Sequence, residues 1–257
     1  MQVLADARIV VWEGGSLWVV DAAPRVAPAP ERTDAHAHHA IQVTVGLGGR
    51  FRLGAGGVEL GGDAIAVAPD ASHWFEAEGL VAILFIEPES RAGRAVADQL
   101  FTGRPCATVP SEVVGDFRRE VAGLYRSGAR DDEALTKWGR DLVARMAGEV
   151  RADPVDFRVR RMIAEATARL DGRVSLADVV SPDGLSAGRL SHLFVEQTGL
   201  PFRTYLLWLR LTRAVECAAA GASLTEAAHE AGFADSAHFS RTFRRMFGVA
   251  PANLRMT

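Results

Sequence analysis

Residues 232–255 read GFADSAHFSRTFRRMFGVAPANLR, and this stretch predicts a turn, a helix and a helix end. Gly232 can adopt the positive φ that ends a preceding helix, and Asp235 or Ser236 can cap the next helix. Side chains that recur at helical spacing are expected to form a buried stripe: Phe239, Thr242, Phe243, Met246 and Phe247. The side chains that remain to face outward are basic: Arg241, Arg244 and Arg245.

The segment before this stretch, residues 223–231, predicts a second short helix. Ser223 and Glu226 form a capping-box pattern, in which each side chain bonds the other residue's backbone N–H. Ala228, four residues before Gly232, is small enough to let another helix cross closely. Two short helices around a glycine turn, the second of them basic, are the sequence form of a helix-turn-helix. An ordinary helical hairpin with a solvated basic face would give the same local pattern.

An earlier copy of this pattern lies at residues 184–199, GLSAGRLSHLFVEQTG. Both copies begin with Gly and an apolar residue, share a Ser-x-x-Phe core, and end at a glycine shortly before a proline. Between the copies, residues 202–220 form one apolar-periodic segment of helix length. A helix of that length can hold two recognition helices about one DNA turn, roughly 34 Å, apart. The repeat therefore favours a paired DNA reader over a simple hairpin.

Residues 156–255 resemble the AraC/XylS family of bacterial transcription regulators. The resemblance is carried by GFADSAHFSRTFRRMFG, by the ending Gly248-x-x-Pro251-x-x-x-Arg255, and by the paired units. It implies a DNA-binding domain of two helix-turn-helix units attached to a sensing domain. The expected partners are double-stranded DNA, RNA polymerase and a second copy of the chain.

The first helix-turn-helix unit departs from the family pattern. Pro182 and Asp183 occupy what is normally the last turn of its first helix, where proline removes a hydrogen bond and clashes with the previous turn. Val180 replaces the usual alanine, and Gly188 lies near the exposed start of the recognition helix, where it offers no base contact. We therefore expect a shortened or distorted first helix, and more base reading by the second unit.

The N-terminal residues of a recognition helix meet base edges when it lies in a major groove. The candidates for base contact in the second unit are Ser236, Ala237, His238, Ser240 and Arg241. The candidates in the first unit are Arg189, Ser191 and His192. Arg241 can donate two hydrogen bonds to one guanine. The candidate phosphate contacts, which set affinity and register but not sequence preference, are Arg244, Arg245 and Arg255.

The first 88 residues predict short strands, because β-rich runs alternate with Gly and Pro at a spacing near ten residues. This pattern favours a small barrel or a sandwich. Within it, HAHHAIQ at residues 36–42 and PDASH at residues 69–73 resemble the two motifs of cupins. Alternation along a strand would place His36 and His38 on one face.

The cupin resemblance implies a metal site, and the matching positions are His36, His38, Gln42 and His73. Three imidazoles suit Zn, Ni, Cu or Fe. Two departures are Ala71, where cupins often have glycine, and the amide of Gln42, where a carboxylate is common. A small organic effector bound beside these histidines, or a purely structural role for them, stays open.

Residues 89–152 change to helical periodicity, with the segment GRPCATVP as a loop between the first two helices. These helices are expected either to pack on the strands or, as the family resemblance implies, to form an antiparallel pair that dimerises the protein. Asp153-Pro154 marks a boundary, because proline and its predecessor disfavour helix continuation. The predicted α+β organisation is a cupin-like effector- or metal-sensing barrel (1–88), a helical dimerisation segment (89–152) and an AraC-type double helix-turn-helix domain (153–257).

Charge is divided unequally between the two parts of the chain. Residues 1–150 hold 15 basic and 21 acidic side chains, net −6, whereas residues 151–257 hold 14 and 11, net +3. A basic C-terminal part is what phosphate binding requires. The overall composition is that of a globular protein, with isolated Cys106 and Cys217 and neither a long apolar run nor a signal peptide. We therefore expect a cytoplasmic protein with no membrane partner.

These patterns together predict a sequence-specific transcription regulator, not an enzyme, that is controlled by a ligand or metal in its N-terminal domain. Two alternatives stay open at this point. One is a metal-dependent cupin enzyme fused to a DNA-binding domain. The other is a constitutive DNA-binding protein with a vestigial sensor.

Overall fold

The computed structural model describes residues 5–22, 32–149, 154–170, 172, 174–179 and 186–257. Contacts divide the chain into two compact units: Met1–Ala152 together with Phe243–Thr257, and Asp153–Thr242. The first unit is built on a β-sheet and the second on helices, so the predicted α+β class is confirmed. No helix among the described residues has both the length and the apolar character needed to cross a membrane.

The described strands of the first unit form one nine-stranded sheet. The strands are β1 (Ala5–Trp12), β2 (Gly15–Ala22), β3 (Ile41–Gly46), β4 (Arg50–Ala55), β5 (Val58–Gly61), β6 (Ala64–Val67), β7 (His73–Ile86), β8 (Cys106–Thr108) and β9 (Leu254–Met256). Their order in the sheet is β8-β6-β3-β7-β2-β1-β9, with β4 paired to β5 and β7.

The long strand β7 organises this sheet. Its first part pairs antiparallel with β4, from His73 opposite Ala55 to Glu78 opposite Arg50. Its second part lies between β2 and β3. Gly79 separates the two parts at φ 82°, a conformation that favours glycine. The apolar run after Gly79 is buried, as expected of a central strand.

Two short strands lie where the sequence predicted none. Cys106–Thr108, in the segment predicted to be a loop, pairs antiparallel with β6. Leu254–Met256, in the segment assigned to the DNA-binding domain, pairs in parallel with β1. Three residues are too few to show a strand periodicity. Each strand forms because the edge of the sheet offers backbone groups to pair with.

Three helices complete the first unit: α1 (Arg91–Leu100), α2 (Ser111–Arg126) and α3 (Asp132–Ala147). Their apolar stripes join the sheet in a single core, because Phe117 of α2 and Leu142 of α3 are buried in one cluster with Val43 and Leu84 of the strands. The alternative that these helices pack on the strands therefore describes them correctly. Dimerisation through them stays a prediction.

The described helices of the second unit are α4 (Phe157–Thr167), α5 (Leu176–Val179), α6 (Ala187–Thr198), α7 (Phe202–Ala219), α8 (Leu224–Glu230) and α9 (Ser236–Phe247), of which α9 ends in the first unit. Phe194 of α6 is fully buried in the core of the second unit, and its ring lies 5.3 Å from the rings of both Phe202 and Tyr205. The expected distortion by Val180, Pro182 and Asp183 lies outside the described residues.

Candidate functional site

The second helix-turn-helix begins with the capping box that the sequence predicted. Ser223 Oγ accepts from the backbone N–H of Glu226, and a Glu226 carboxylate oxygen accepts from the backbone N–H of Ser223. The turn follows at Gly232, which has a φ of 75°. A Cβ on Gly232 would lie 2.0 Å from the carbonyl oxygen of Leu170, so both conformation and space require glycine.

Helix α9 is capped and oriented by its own sequence. Asp235 Oδ1 accepts from the backbone N–H of His238 at 2.6 Å, so Asp235 supplies the cap. The Phe233 ring packs against the rings of Phe239 and His238 at 5.4 and 5.3 Å. The predicted stripe is buried: Phe239, Thr242, Phe243, Met246 and Phe247.

The residues predicted to contact bases lie on two recognition helices, α6 and α9. The exposed ones are Arg189, His192, Ala237 and Arg241, and the half-buried ones are Ser191, Ser236, His238 and Ser240. Ser186 caps α6 by accepting from the backbone N–H of Arg189. Arg241 is exposed on α9, and base contact by these residues stays a prediction.

Two of the three predicted phosphate contacts are engaged in ion pairs within the first unit. Arg244 donates from Nε and a guanidinium NH₂ to Asp34 Oδ2 at 3.0 and 2.8 Å. Arg255 pairs with Asp6 Oδ1 at 2.5 Å. Arg245 is exposed. Contact of Arg244 or Arg255 with a phosphate would therefore require the exchange of a carboxylate for it.

The three predicted metal-ligating histidines are buried together in the first unit. One nitrogen each from His36, His38 and His73 lies within 4.8 Å of the others. Gln42 Oε1 lies 3.0 Å from His38 Nε2 and 3.3 Å from His73 Nε2. The expectation that His36 and His38 share a strand face was wrong, because β3 begins only at Ile41. A single bridge between His36 and His73 brings the two motifs together instead.

Backbone carbonyls fix the orientation of all three imidazoles. Each Nδ1 lies within hydrogen-bond distance of a carbonyl oxygen: Asp34 at 2.7 Å from His36, Ala40 at 3.0 Å from His38 and Ala71 at 2.8 Å from His73. Because a carbonyl can only accept, these partners assign the proton to Nδ1 and leave the lone pair on Nε2. Nδ1 bonds of this kind characterise metal-ligating histidines.

The amide of Gln42 is oriented in the same way. Its nitrogen donates to Thr44 Oγ1 at 3.0 Å, which turns its oxygen toward His38 and His73. Three imidazole nitrogens and one amide oxygen thus present electron pairs to the same small region. That donor set fits a borderline divalent transition metal.

The charge state of the three histidines also suits a metal. Burial, reinforced by repulsion from His73, lowers the pKa of His36 to about 4. Burial, with repulsion from His73 and His36, lowers the pKa of His38 to about 3. Burial lowers the pKa of His73 as well. All three imidazoles are therefore neutral near pH 7, as metal coordination requires.

Aromatic rings fill the space beside His38. Its ring centroid lies 5.1 Å from Phe85 and 6.0 Å from Phe247, and Trp18 lies 5.1 Å from each of those two phenylalanines. Sequence reasoning did not connect these three residues with the histidines, since none belongs to either motif. The histidine cluster is therefore packed against aromatic side chains on the side of His38.

The fourth histidine of the region has a different role. His39 lies between Asp70 and Glu89, with its Nδ1 3.1 Å from Asp70 Oδ2 and its Nε2 in contact with Glu89 Oε1. Burial alone would lower the pKa of His39, but hydrogen bonds to Asp70 and Glu89 raise it to about 9. His39 is therefore a cation that joins two loops, which explains why only two histidines of HAHH belong to the cluster.

Sequence comparisons match the C-terminal part of the chain. Residues 184–257 match a family model described as a helix-turn-helix domain. The chain is 34% identical over 119 residues to YidL of Escherichia coli K12, an uncharacterized HTH-type transcriptional regulator. It is 36% identical over 101 residues to the HTH-type transcriptional activator RhaS of Escherichia fergusonii. These matches cover 46% and 39% of this chain, but only 40% and 36% of the relatives.

Structure comparisons cover nearly the whole chain. ToxT from Vibrio cholerae O395 matches with a TM-score of 0.60 over 94% of this chain and 96% of ToxT, at 14% identity. A ToxT structure described as bound to an unsaturated fatty acid matches with a TM-score of 0.56 over 98% and 95%, at 12% identity. At such low identity the likeness is one of fold.

Proposed function

We propose that this chain is a metal-responsive DNA-binding regulator of the AraC family, with its helix-turn-helix domain in the C-terminal part. Its cupin-like first unit binds one divalent transition metal ion through the histidine cluster, His36, His38 and His73, with Gln42 as the fourth donor. Its second unit and α9 bind double-stranded DNA. The proposal includes a cytoplasmic homodimer that recruits RNA polymerase.

A single observation carries the metal proposal: four electron-pair donors converge, and each is fixed by a second hydrogen bond. The three Nδ1 atoms bond backbone carbonyls, and the Gln42 amide nitrogen bonds Thr44. A bound cation would be coordinated by these electron pairs. The aromatic packing beside His38 favours an ion over an organic effector as the occupant, although a fatty acid occupies the ToxT structure named above.

The experiment is the metal content of protein purified without an affinity tag. We expect about one Zn, Ni, Cu or Fe ion per chain by elemental mass spectrometry, since three neutral imidazoles suit these metals. His73→Ala should lose the metal. His192→Ala, which removes an exposed histidine of α6, should retain it. Substoichiometric metal that His73→Ala leaves unchanged would refute the proposal.

DNA binding is tested separately by selection of duplexes from a random-sequence pool. We expect enrichment of sites read by two recognition helices, with binding that weakens as salt concentration rises. Recovery of random sequence alone would leave an unspecific DNA-binding protein and contradict the proposed regulator.

A further inference from the structure

We propose that residues 33–38, which we call the ligand segment, couple the metal site to DNA binding. Asp34 holds Arg244 away from the DNA backbone, and a metal ion on His36 stabilises that arrangement. The inference rests on the proposed function and extends it to regulation. It makes the metal a ligand that weakens DNA binding.

The ligand segment contacts the end of α9 at three points, all inside the first unit. The backbone N–H of Asp34 donates to the carbonyl oxygen of Gly248 at 3.0 Å. The Asp34 carboxylate accepts twice from the Arg244 guanidinium. The ring of Phe247 packs beside the ring of His38. Two residues of α9, Arg244 and Phe247, and the glycine that follows the helix thus contact the ligand segment.

Gly248 shows how close this approach is. Its φ is 71°, and a Cβ there would lie 2.5 Å from both the Asp34 carbonyl oxygen and His36 Nδ1. No side chain fits at that separation. The helix end and the ligand segment are therefore in direct backbone contact.

One residue, Asp34, contacts both the metal site and the end of α9. The Asp34 carbonyl oxygen accepts from His36 Nδ1 at 2.7 Å, and the N–H and carboxylate of the same residue bind Gly248 and Arg244. A metal on His36 Nε2 fixes the ring, and a fixed ring fixes its Nδ1–H bond. Metal binding therefore stabilises Asp34 in the position in which it pairs with Arg244.

The direction of the effect follows from charge. Arg244 cannot bind a phosphate while the Asp34 carboxylate occupies its guanidinium, so the metal-bound protein has one phosphate contact fewer. The pair is 64% and 60% exposed, and an ion pair so exposed is readily exchanged for a phosphate. Because the two binding equilibria are thermodynamically linked, DNA must weaken metal binding by the same factor as the metal weakens DNA binding.

The first arm of the test measures binding of metal-free protein to a short duplex of arbitrary sequence, by fluorescence anisotropy over a range of salt concentrations. Asp34→Asn should tighten binding by roughly two- to fivefold and steepen the salt dependence by about 0.9, the value for one phosphate. The matched control is Asp63→Asn, which removes the carboxylate paired with Arg118, a residue outside α9, from a partly exposed ion pair. It should change binding less.

The double variant Asp34→Asn with Arg244→Gln distinguishes the loss of the Asp34–Arg244 ion pair from the change in net charge. If Asp34 acts by occupying Arg244, its replacement has no further effect once Arg244 is gone. An equal gain with and without Arg244, or an equal gain from Asp63→Asn, overturns the inference.

The second arm adds Zn²⁺ at a concentration that saturates the protein, with metal content measured on the same samples. Binding of the wild-type chain to the duplex should weaken by roughly two- to fivefold, and binding of His73→Ala and Asp34→Asn should not change. Wild-type protein that holds zinc and binds DNA equally with and without it overturns the coupling but leaves the proposed function intact. Wild-type protein that holds neither zinc nor, when added in its place, Ni²⁺, Cu²⁺ or Fe²⁺ overturns both.

Discussion

Gln42 presents its amide oxygen to His38, with Oε1 3.0 Å from Nε2, because its amide nitrogen is bonded to Thr44 Oγ1. Thr44 is fully buried. We expect Thr44→Val, which keeps the shape and removes the hydroxyl, to weaken metal affinity by about 10–100-fold, as loss of an outer hydrogen bond does. Titration with Co²⁺, followed by its visible absorption, measures this. Thr44→Ser should restore affinity, and equal affinity in all three proteins would contradict the orienting role.

The second prediction divides the arginines of α9 by function. Arg241 is exposed near the start of the helix, so Arg241→Ala should cost about 1–3 kcal/mol at one base pair and relax preference there. Arg245 is exposed in the last turn, so Arg245→Ala should weaken all sequences alike and reduce the salt dependence by about one phosphate. Band shifts on base-substituted sites decide between the two roles. An equal loss on every site for both variants would refute the division.

The third prediction concerns the helix-turn-helix turn. Gly232 and Gly221 both have positive φ, 75° and 100°, but only Gly232 has a close neighbour, the Leu170 carbonyl oxygen. Gly221→Ala should therefore cost about 1 kcal/mol from backbone strain alone, and Gly232→Ala clearly more, because the turn must also move. Urea unfolding followed by circular dichroism compares them. Equal losses would show that Gly232 is required for its conformation only.

The fourth prediction is a pH dependence in the second unit. Asp156 caps α4 and pairs with Arg158 at 2.6 Å, and the hydrogen bonds from Arg158 lower the pKa of Asp156 from 3.8 to about 2. A depressed folded-state pKa means that this stabilisation is present above about pH 4 and is lost as pH falls toward 2. Asp156→Ala should cost about 1 kcal/mol at pH 7.

The cost of Asp156→Ala should shrink as pH falls from 4 toward 2, because protonation of the wild-type carboxylate removes its ion pair with Arg158. Unfolding by urea at pH 7, 4 and 2.5 tests this. Asp156→Asn retains a capping side chain and should lose only the ionic part. A cost that does not depend on pH would show that the cap, and not the ion pair, carries the contribution.

Local features of this protein could be predicted from the sequence because they depend on neighbouring residues. The capping box of Ser223 and Glu226, the turn at Gly232 and the buried stripe of α9 all follow from spacing over a few positions. Two short motifs identified the four residues His36, His38, Gln42 and His73 that the structure brings together, although the strand geometry assumed for His36 and His38 was wrong.

The remaining features depend on residues far apart in the chain. Arg244 and Asp34 are 210 positions apart, and spacing on α9 shows only that Arg244 faces outward, not what it meets. Strand β9 could not be predicted from the sequence for the same reason, since Leu254–Met256 becomes a strand only through its pairing with β1. Phe247 likewise satisfies the helical stripe and also contacts His38, a second role that periodicity cannot reveal.

The pairing of β1 with β9 has a consequence for synthesis on the ribosome. Ala5 pairs with Leu254, so β1 waits for the synthesis of about 250 further residues before its outer edge is covered. At about 5–20 residues per second this interval is roughly 12–50 s. During it, β1 presents open backbone groups of the kind to which other strands add. A nascent chain is therefore most prone to aggregation before Leu254–Met256 has been made, and a chaperone that covers β1 would act in that period.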